Sequence, residues 1–361
     1  MKKCLIVILA VLLCGGILSG SLAEGQGLYE YTVKGKKAVI TAVTDKSIEK
    51  AEIPAEIDGY KVAAIGEDAF ADCENLKTVT IPEGVQKIDN WAFENCSELS
   101  RINIPNSVTT LGEVPFAACF RLGSVTISPD HKVYGVSNDA LYRKKDKTLL
   151  RFLAQYATGV EPYDIEYKVT DGIQCIGEEA FDGTKLTSII LPASVRKIDR
   201  CAFVSCYFLK EMVIPEGVKT IGDQVFMCDS ALESVTIPDS VTKIGKGIFS
   251  SCTSLKNINI SPKHRYYETK DLLLIEKKTR TIISASAAIE GEYTIPDDIR
   301  AIGNTAFQGC AGLSELTIPD SVKSIGRTAF WNCDHIIIKG HAGSVAQKFC
   351  EENEMRFEVI E

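Results

Sequence analysis

The sequence of 361 residues contains only 12 prolines and no excess of positive charge, since its formal net charge is −8. An apolar share of 45% with so little proline excludes a disordered or collagen-like chain. A protein that binds nucleic acid needs a basic face against the phosphates, whereas Lys and Arg are spread along this chain. We therefore expect a folded protein with no nucleic-acid partner.

Histidine, the commonest metal ligand and general base in proteins, is also scarce. There are four histidines, His131, His264, His335 and His341, and no two of them have the spacing of a metal site. His131 and His264 occupy the same place in two related segments, which favours loop residues copied by duplication. No glycine-rich phosphate loop follows a predicted strand. The sequence thus predicts no catalytic residue, no metal site and no cofactor, so the protein is not expected to be an enzyme.

The first 23 residues have the pattern of a secretory signal peptide. Two lysines precede an apolar run from Leu5 to Leu18, and the small residues Ser21 and Ala23 predict cleavage after Ala23. A single membrane anchor is the alternative, but the run is shorter than the roughly 20 residues needed to cross a bilayer. We expect the mature chain, residues 24–361, to be secreted or surface-associated and to have no membrane span.

A repeat with a period near 23 residues runs through the mature chain. Nine phenylalanines, most of them after an alanine, mark it: Phe70, Phe93, Phe116, Phe181, Phe203, Phe226, Phe249, Phe307 and Phe330. Successive differences are 23, 23, 65, 22, 23, 23, 58 and 23 residues. This period predicts stacked coils, because a unit of that length cannot bury its own apolar side.

The coil from Leu99 to Cys119 shows the physical reason for each part of the unit. Ile102 and Ile104 lie two residues apart, so they point to one face of a strand, and neighbouring coils are expected to pair as parallel strands. Pro105 ends the strand because it has no N–H to donate. The alanine and phenylalanine that follow are predicted on a short helical turn.

A glycine recurs at one frame position in seven coils: Gly66, Gly112, Gly177, Gly222, Gly245, Gly303 and Gly326. A corner that needs a positive φ or a close backbone approach explains this glycine. Asp89 and Asp199 replace it in two coils, and aspartate there favours the left-handed conformation.

Two coils are enlarged, and each insert has the pattern of a β-hairpin that projects from the stack, near residues 131–165 and 263–290. Residues 24–60 are predicted to form an N-terminal cap, residues 61–338 the repeats, and residues 339–361 a C-terminal cap with a short helix and an edge strand. Both enlarged coils return to the same strand frame without a flexible linker, so residues 24–361 are expected to be one solenoid domain. Polar caps stop the stack from polymerising, which favours a monomer.

These repeats resemble the bacterial BspA-type leucine-rich-repeat family, whose units look like Leu-x-x-Ile-x-Ile-Pro-x-x-Val-x-x-Ile-Gly-x-x-Ala-Phe-x-x-Cys. The resemblance extends from Tyr29 to Ile360. It implies a β-rich, right-handed leucine-rich-repeat solenoid. Family members are typically secreted or displayed at the surface, and some are implicated in adhesion to host proteins or other cells. The family defines no catalytic residues that could be carried over.

Seven cysteines share one frame position, three residues after the repeat phenylalanine: Cys73, Cys96, Cys119, Cys206, Cys252, Cys310 and Cys333. Secretion favours disulfides, but in-register side chains on stacked coils stay near the ~4.8 Å strand spacing, beyond the ~3.8 Å between the Cβ atoms of a disulfide. We therefore expect a buried ladder of thiols that act as small apolar side chains. Cys201 and Cys206 could instead form a local pair, and Cys350 is predicted to be the exposed free thiol.

The outward side of the first strand of each coil, here called the strand face, is the predicted binding surface. Its middle position carries Thr or Asn in most coils, as at Thr126 and Thr236. The face lacks the Trp, Tyr and Arg clusters that dominate protein interfaces. Such a face fits a weak or glycan-like ligand, or none, better than a tight protein partner. Because the solenoid offers a long rigid surface of repeated outward positions, we predict a binding or adhesion module for an extracellular protein or glycan, and the alternative is a structural spacer of the cell envelope without a specific ligand.

Ile190 and Val213 interrupt this polar pattern at the same middle position of adjacent strands. An apolar pair rimmed by Lys210 and Glu211 indicates a candidate contact site. The alternative, favoured on the sequence alone, is that residues 131–165 fold over the pair and bury it within the monomer.

Overall fold

The structure, a computed structural model, describes residues 27–153, 166–333 and 335–361. These residues form three stacks of coils built from short strands. The first stack contains β1 (Tyr29–Lys34), β2 (Lys37–Val43), β3 (Lys50–Glu52), β4 (Glu56–Ile57), β5 (Tyr60–Ile65), β6 (Thr78–Thr80), β7 (Lys87–Ile88), β8 (Arg101–Ile104), β9 (Thr110–Leu111) and β10 (Ser124–Ile127).

The second stack contains β11 (Tyr134–Ser137), β12 (Ala140–Arg143), β13 (Thr148–Phe152), β14 (Glu166–Lys168), β15 (Cys175–Ile176), β16 (Ser188–Ile190), β17 (Lys197–Ile198), β18 (Glu211–Val213), β19 (Thr220–Ile221), β20 (Ser234–Ile237), β21 (Lys243–Ile244) and β22 (Asn257–Ile260). The third contains β23 (Tyr267–Lys270), β24 (Leu273–Glu276), β25 (Thr281–Ala285), β26 (Gly291–Thr294), β27 (Ala301–Ile302), β28 (Leu313–Thr317), β29 (Ser324–Ile325), β30 (Ile337–Gly340), α1 (Val345–Glu352) and β31 (Phe357–Val359).

Each regular coil gives one strand to each of two parallel walls. In the second stack, β14, β16, β18, β20 and β22 follow one another in one wall, and β15, β17, β19 and β21 in the other. Equivalent residues of successive coils pair, as Val235 pairs with Ile258 and Ile221 with Ile244. The predicted β-solenoid with parallel pairing between repeats is thereby confirmed.

The phenylalanine of each coil lies on a third wall that is a turn without helix. Around Phe93, φ is +50° at Trp91 and +55° at Asn95. The same two positions, two residues before and two after the phenylalanine, have positive φ in eight of the nine phenylalanine coils. A left-handed residue interrupts a right-handed helix, so this wall differs from the predicted short helical turn.

Main-chain hydrogen bonds that all run in the same direction connect these turns. The N–H groups of Trp91, Phe93 and Asn95 donate to the carbonyls of Glu113, Pro115 and Ala117 in the next coil at 3.2, 2.9 and 2.9 Å. We call the N–H groups at these three positions of a coil the turn donors. Each coil thus presents donors towards the C-terminal end of its stack and acceptors towards the N-terminal end.

Phenylalanine rings and thiols fill the space behind the third wall. The rings of Phe203 and Phe226 stack with their centroids 5.4 Å apart. All seven in-frame cysteines are buried free thiols, as the ladder prediction requires. The Cys96 Sγ donates to the Phe70 carbonyl at 3.2 Å, and the Cys252 Sγ to the Phe226 carbonyl at 2.9 Å. The thiol is therefore both a small apolar side chain and a donor to the turn of the preceding coil.

The other cysteines differ in part from expectation. Cys201 and Cys206 are separate thiols. Cys350 was predicted to be exposed, and this was wrong, since only 1% of its surface is accessible. The helix α1 packs its face with Ala346, Phe349 and Cys350 against the last coils, and the Phe349 ring meets Phe330 edge-on at 5.6 Å.

The two enlarged coils form the junctions between the stacks. In the first junction β11, β12 and β13 pair antiparallel, and β13 then pairs in parallel with β15. The strands β23, β24, β25 and β27 repeat this arrangement in the second junction. The inserts therefore extend one wall of the stack that follows, whereas the sequence predicted projecting hairpins.

A buried tyrosine closes the end of the preceding wall at each junction. The Leu111 N–H donates to the Tyr134 Oη at 2.7 Å, and the Ile244 N–H donates to the Tyr267 Oη at 2.9 Å. The last strand of each wall has no next strand to accept its N–H group, and the tyrosine hydroxyl accepts that hydrogen bond instead.

Apolar side chains of the insert strands face two cores. Leu141 packs with the core of the first stack, and Ala140 and Leu149 with the core of the second. Because successive side chains of a strand point to opposite faces, one strand can cover the end of one core and contribute to the next core. That residues 24–361 form one domain remains a prediction.

The recurrent glycine is needed for close approach. A Cβ atom at Gly112 would lie 2.3 Å from the backbone N of Asn90, and no positive φ occurs at this glycine. Asp89 and Asp199 do not have positive φ either, so the left-handed conformation predicted for them was wrong. The backbones of successive coils therefore approach closely at this corner.

Short elements lie at the two ends of the described chain, and their action as caps remains a prediction. At the N-terminal end β1 and β2 pair antiparallel, and at the C-terminal end α1 is followed by β31, which pairs with β30. The predicted signal peptide, residues 1–23, lies outside the described residues, as does part of the first insert, residues 154–165.

Candidate functional site

The apolar pair predicted on the strand face is exposed in the structure. Ser188 of β16 pairs with Glu211 of β18, so Ile190 and Val213, two residues further along each strand, are neighbours. Their accessible fractions are 40% and 62%. Across the face, Ile190 pairs with Lys168 on one side.

The rest of the predicted contact site is divided between two sheets. Lys210 and Glu211 are exposed; Glu211 begins the strand that contains Val213, and Lys210 immediately precedes that strand. Thr236 pairs with Val213 and is half-buried. Thr126 is exposed but lies on β10 of the first stack, in a different sheet, so the structure does not bring it together with the other five residues.

The segment predicted to cover the pair lies only partly within the described residues. Its described strands, β11 to β13, belong to the wall that contains β15 and β17, whereas Ile190 and Val213 lie in the wall of β16 and β18. Residues 154–165 lie outside the described residues. Burial of the pair by this segment remains a prediction.

A cleft at the first junction, which we call the junction cleft, was not predicted from the sequence. Its volume is about 390 Å³, and it lies between the turn of Phe116 and the strands of the first insert. The turn contributes residues 113–117, and the opposite side is formed mainly by Leu141, Arg143, Leu150, Arg151, Glu178 and Glu179. Pockets that bind small ligands or short segments start near this size, at ~300 Å³.

Arg151 holds the two sides of the junction cleft together. It is 6% exposed, and its guanidinium donates to the Glu179 carbonyl at 3.1 Å and to the Cys119 carbonyl at 3.3 Å. It also lies 3.7 Å from the Asp182 carboxylate, which is 9% exposed. Burial raises the pKa of Asp182, while the Arg151 charge opposes that rise.

Most charged side chains of the junction cleft already have partners. Ion pairs join Lys87 to Asp89, Arg143 to Asp146, Arg200 to Glu178 and Lys197 to Asp199. Within the described residues, the Glu113 and Glu179 side chains have no ion-pair partner. Burial raises the pKa of Glu179, and the nearby Asp182 adds to the rise.

The two junction histidines, His131 and His264, serve the fold. The His131 Nδ1 accepts the N–H groups of Val133 and Tyr134, both at 3.1 Å, and its Nε2 lies 3.2 Å from the Pro105 carbonyl. His264 accepts two N–H groups in the same way in the second junction. Desolvation lowers the pKa of both rings, so the neutral form that can accept at Nδ1 is favoured.

The thiols are poor nucleophiles. Burial raises the pKa of Cys206 and Cys252 well above the usual range, and that of Cys310 to about 12. A thiol with a raised pKa is protonated at neutral pH and reacts slowly. In residues 27–153, 166–333 and 335–361, no three His, Cys, Asp or Glu side chains are placed to hold a metal ion. The same residues include no helix long and apolar enough to cross a bilayer.

Comparison with known proteins identifies the repeat. The family described as BspA type leucine-rich repeat region matches the chain in six copies, over residues 42–149, 174–287 and 285–344. No curated protein matches the sequence.

Solved structures with a similar architecture include a leucine-rich cell surface protein from Faecalibacterium prausnitzii. It is 24% identical, with 88% of this chain and 76% of that chain covered and a TM-score of 0.42. The pneumococcal vaccine antigen PcpA is 15% identical, with 96% and 99% covered and a TM-score of 0.48. A leucine-rich-repeat protein from Eubacterium ventriosum is 18% identical, with 91% and 73% covered and a TM-score of 0.38.

Proposed function

The chain belongs to the BspA-type leucine-rich-repeat family, and on this premise we propose that it is a non-catalytic binding module for an extracellular protein or glycan. The observation that carries the proposal is the exposed pair Ile190 and Val213 on an otherwise polar strand face. Neighbouring apolar side chains ringed by charged ones often form the centre of a contact site. In this proposal Lys210 and Glu211 form the rim, and the protein acts outside the cell or at its surface.

The chemistry of the described residues supports a binding role over a catalytic one. The buried histidines are used to close the junctions, and the in-frame thiols have raised pKa values or donate to carbonyls of the turns. A nucleophile or a general base needs an accessible group with a pKa near the working pH. A surface of repeated polar positions is suited to recognition of an extended ligand instead.

The experiment is a binding screen followed by a comparison of two variants. The purified chain of residues 24–361 is tested against extracellular matrix proteins, glycans and cell-wall fragments. The double variant Ile190→Thr, Val213→Thr is then compared with Val359→Thr, which removes an equally exposed apolar side chain from β31, 60% accessible, in another stack. We expect the double variant to lose binding at an unchanged melting temperature and Val359→Thr to keep it.

Two results would contradict the proposal. Equal binding by wild type and the double variant would remove the pair from the contact site. Failure of every class of probe would favour a structural spacer without a specific ligand. A lower melting temperature in the double variant would instead support the covered interpretation, in which the pair is buried within the monomer.

A further inference from the structure

Two of the three turn donors at the first junction have no acceptor among the described residues, while the third, the Ala118 N–H, faces the Asp182 carboxylate. In the coil of Phe93 all three turn donors bind carbonyls of the next coil. In the coil of Phe116, the N–H groups of Val114 and Phe116 find no acceptor among the described residues. The backbone conformation is the same, with φ of +35° at Val114 and +52° at Ala118. Since donors at these positions point to the next coil, these two groups face the junction cleft.

Unpaired donors at this place are costly unless something binds them. Phe116 is 3% exposed, and a buried N–H without an acceptor destabilises the fold. In a regular coil the acceptors are two carbonyls of the next coil that lie two residues apart. Glu113 and Pro115 supply them for the N–H groups of Trp91 and Phe93. A polypeptide segment provides such a pair, with spacing that suits the two donors.

The charges that line the junction cleft indicate which type of side chain the bound segment carries. Every basic group that lines the cleft already lies within 4 Å of a carboxylate, as the ion pairs above show. Glu113, on the turn itself, and Glu179, on the opposite side, form no ion pair within the described residues, and the Arg151 and Arg200 charges act on Glu179 only from beyond 4 Å. Leu141 and Leu150 supply apolar surface between the two sides. A basic side chain with an aliphatic stem matches both features.

We propose that the junction cleft binds an extended segment of a partner polypeptide that carries a Lys or Arg. Carbonyls of the segment accept hydrogen bonds from Val114 and Phe116, and its basic group pairs with Glu113 and Glu179. This site lies between two stacks and does not include the strand face, so it goes beyond the function proposed above and can be tested separately. The cleft volume fits a short segment and not a folded domain.

The second junction provides a matched control, because the N–H groups of Gly247 and Phe249 likewise find no acceptor among the described residues, whereas the surrounding side chains differ. Lys246 and Thr305 occupy the positions of Glu113 and Glu179. The two coils are also held together there: the Ser250 Oγ donates to the Thr305 Oγ1 at 2.8 Å, and the Gln308 Nε2 donates to the Ser251 Oγ at 2.9 Å. We therefore expect no basic segment to bind at the second junction.

The test uses the mature chain and two synthetic peptides, acetyl-Ala-Val-Lys-Val-Ala-amide and the same peptide with Glu in place of Lys. Affinity is measured by calorimetry, and amide hydrogen exchange is followed with and without peptide. We expect the Lys peptide to bind and to slow exchange at Val114 and Phe116. The double variant Glu113→Gln, Glu179→Gln should weaken binding about tenfold, whereas Lys246→Gln should not change it.

Both acidic positions are at least partly accessible, so the variants are expected to fold, which their melting temperatures check. Equal affinity for the Glu peptide, or unchanged affinity in the double variant, would overturn the charge preference and with it the proposal. Binding without protection of Val114 and Phe116 would place the peptide elsewhere. No binding of either peptide at millimolar concentration would also overturn it. Wild-type affinity in the Ile190→Thr, Val213→Thr variant is expected, and its loss would show that the peptide uses the strand face.

Discussion

The Oδ1 of Asp229 accepts a hydrogen bond from the backbone N–H of Cys206 at 2.8 Å, one coil away. Asp229 lies three residues after Phe226, at the position that cysteine occupies in most coils. It is fully buried, and its Oδ2 has no partner within the described part of the chain. Desolvation raises the pKa of Asp229 well above its usual value, so the fold favours the neutral carboxyl.

The first prediction follows from this raised pKa. The unfolded chain loses the Asp229 proton near pH 3.9, whereas the folded chain keeps it to a higher pH. Between these values the folded state binds more protons, so the free energy of unfolding falls as pH rises. In the wild-type protein the free energy of unfolding should fall by up to ~1.4 kcal/mol per pH unit in this range. Asp229→Cys, which restores the thiol of the neighbouring coils, should abolish that fall. Urea unfolding from pH 4 to pH 8 measures this.

Asp229→Asn is the control, because it keeps the shape and cannot ionise. It should show the same reduced dependence on pH as Asp229→Cys. An equal slope of stability against pH in wild type and both variants would show that Asp229 is already ionised in the fold.

The second prediction concerns Phe152, which takes the place of a repeat phenylalanine in the first insert. Its N–H donates to the Ala180 carbonyl at 2.7 Å, and its ring lies 5.6 Å from Phe181 and 4.5 Å from Tyr167. Ala285 occupies this position in the second insert and donates to Ala306 at 2.6 Å. Since Phe152 is only partly buried, Phe152→Ala should cost about 2–3 kcal/mol, somewhat less than a fully buried phenylalanine.

Thermal unfolding compares this variant with Tyr207→Ala. Tyr207 is 50% exposed, and its removal should change stability by less than about 0.5 kcal/mol. If both substitutions have the same small effect, Phe152 is not part of the ring stack.

The regular coils were predictable because their constraints are local and repeated. The strand pairs, the buried phenylalanines and the thiol ladder all follow from residue type at a fixed spacing. Phe152 was missed because the insert shifts it out of the period and no alanine precedes it. The left-handed residues of the turns were missed since Asp, Trp, Val and Gln all occupy them, so residue type carries no signal there.

The third prediction concerns acid pH and the two junction histidines. The folded state lowers the pKa of His131 and His264, so it binds fewer protons than the unfolded chain below about pH 6.5. Their contribution to the free energy of unfolding is therefore complete above pH 6.5 and is lost as pH falls. The double variant His131→Asn, His264→Asn keeps an acceptor near each Nδ1 position and should be less sensitive to acid.

Unfolding by urea at pH 7.5 and pH 5 provides the measurement. His341→Asn is the control, since His341 is exposed and pairs with Asp320 far from both junctions. The prediction is wrong if the double variant loses as much stability between the two pH values as wild type does.

The candidate sites were predictable to different degrees. Ile190 and Val213 stand out in the sequence because they break a pattern at one frame position, and strand pairing makes them neighbours. The junction cleft could not be found this way, because Glu113 and Glu179 are 66 positions apart and meet only through the pairing of the insert strands. The unpaired donors of Val114 and Phe116 are backbone groups and have no signature in the sequence.

The last prediction tests how the first junction is held together. Arg151 is buried and binds two carbonyls and Asp182, while Ser284 and Gln308 occupy the equivalent positions of the second junction. Arg151→Ser leaves a buried carboxyl without its cation and should cost about 3–5 kcal/mol at neutral pH. The cost should shrink at pH 5, because the pKa of Asp182 is already raised by burial and protonation removes the unpaired charge.

The double variant Arg151→Ser, Asp182→Gln carries the neutral residues of the second junction. It therefore has no buried carboxyl that lacks a cation. It should therefore lose less stability than the two single variants together, by about 1–3 kcal/mol, and its loss should not depend on pH. Chemical unfolding of the four proteins at pH 5 and pH 8 gives this coupling energy. Additive losses would show that Arg151 stabilises the junction through the Glu179 and Cys119 carbonyls alone, and that the charge of Asp182 is irrelevant to it.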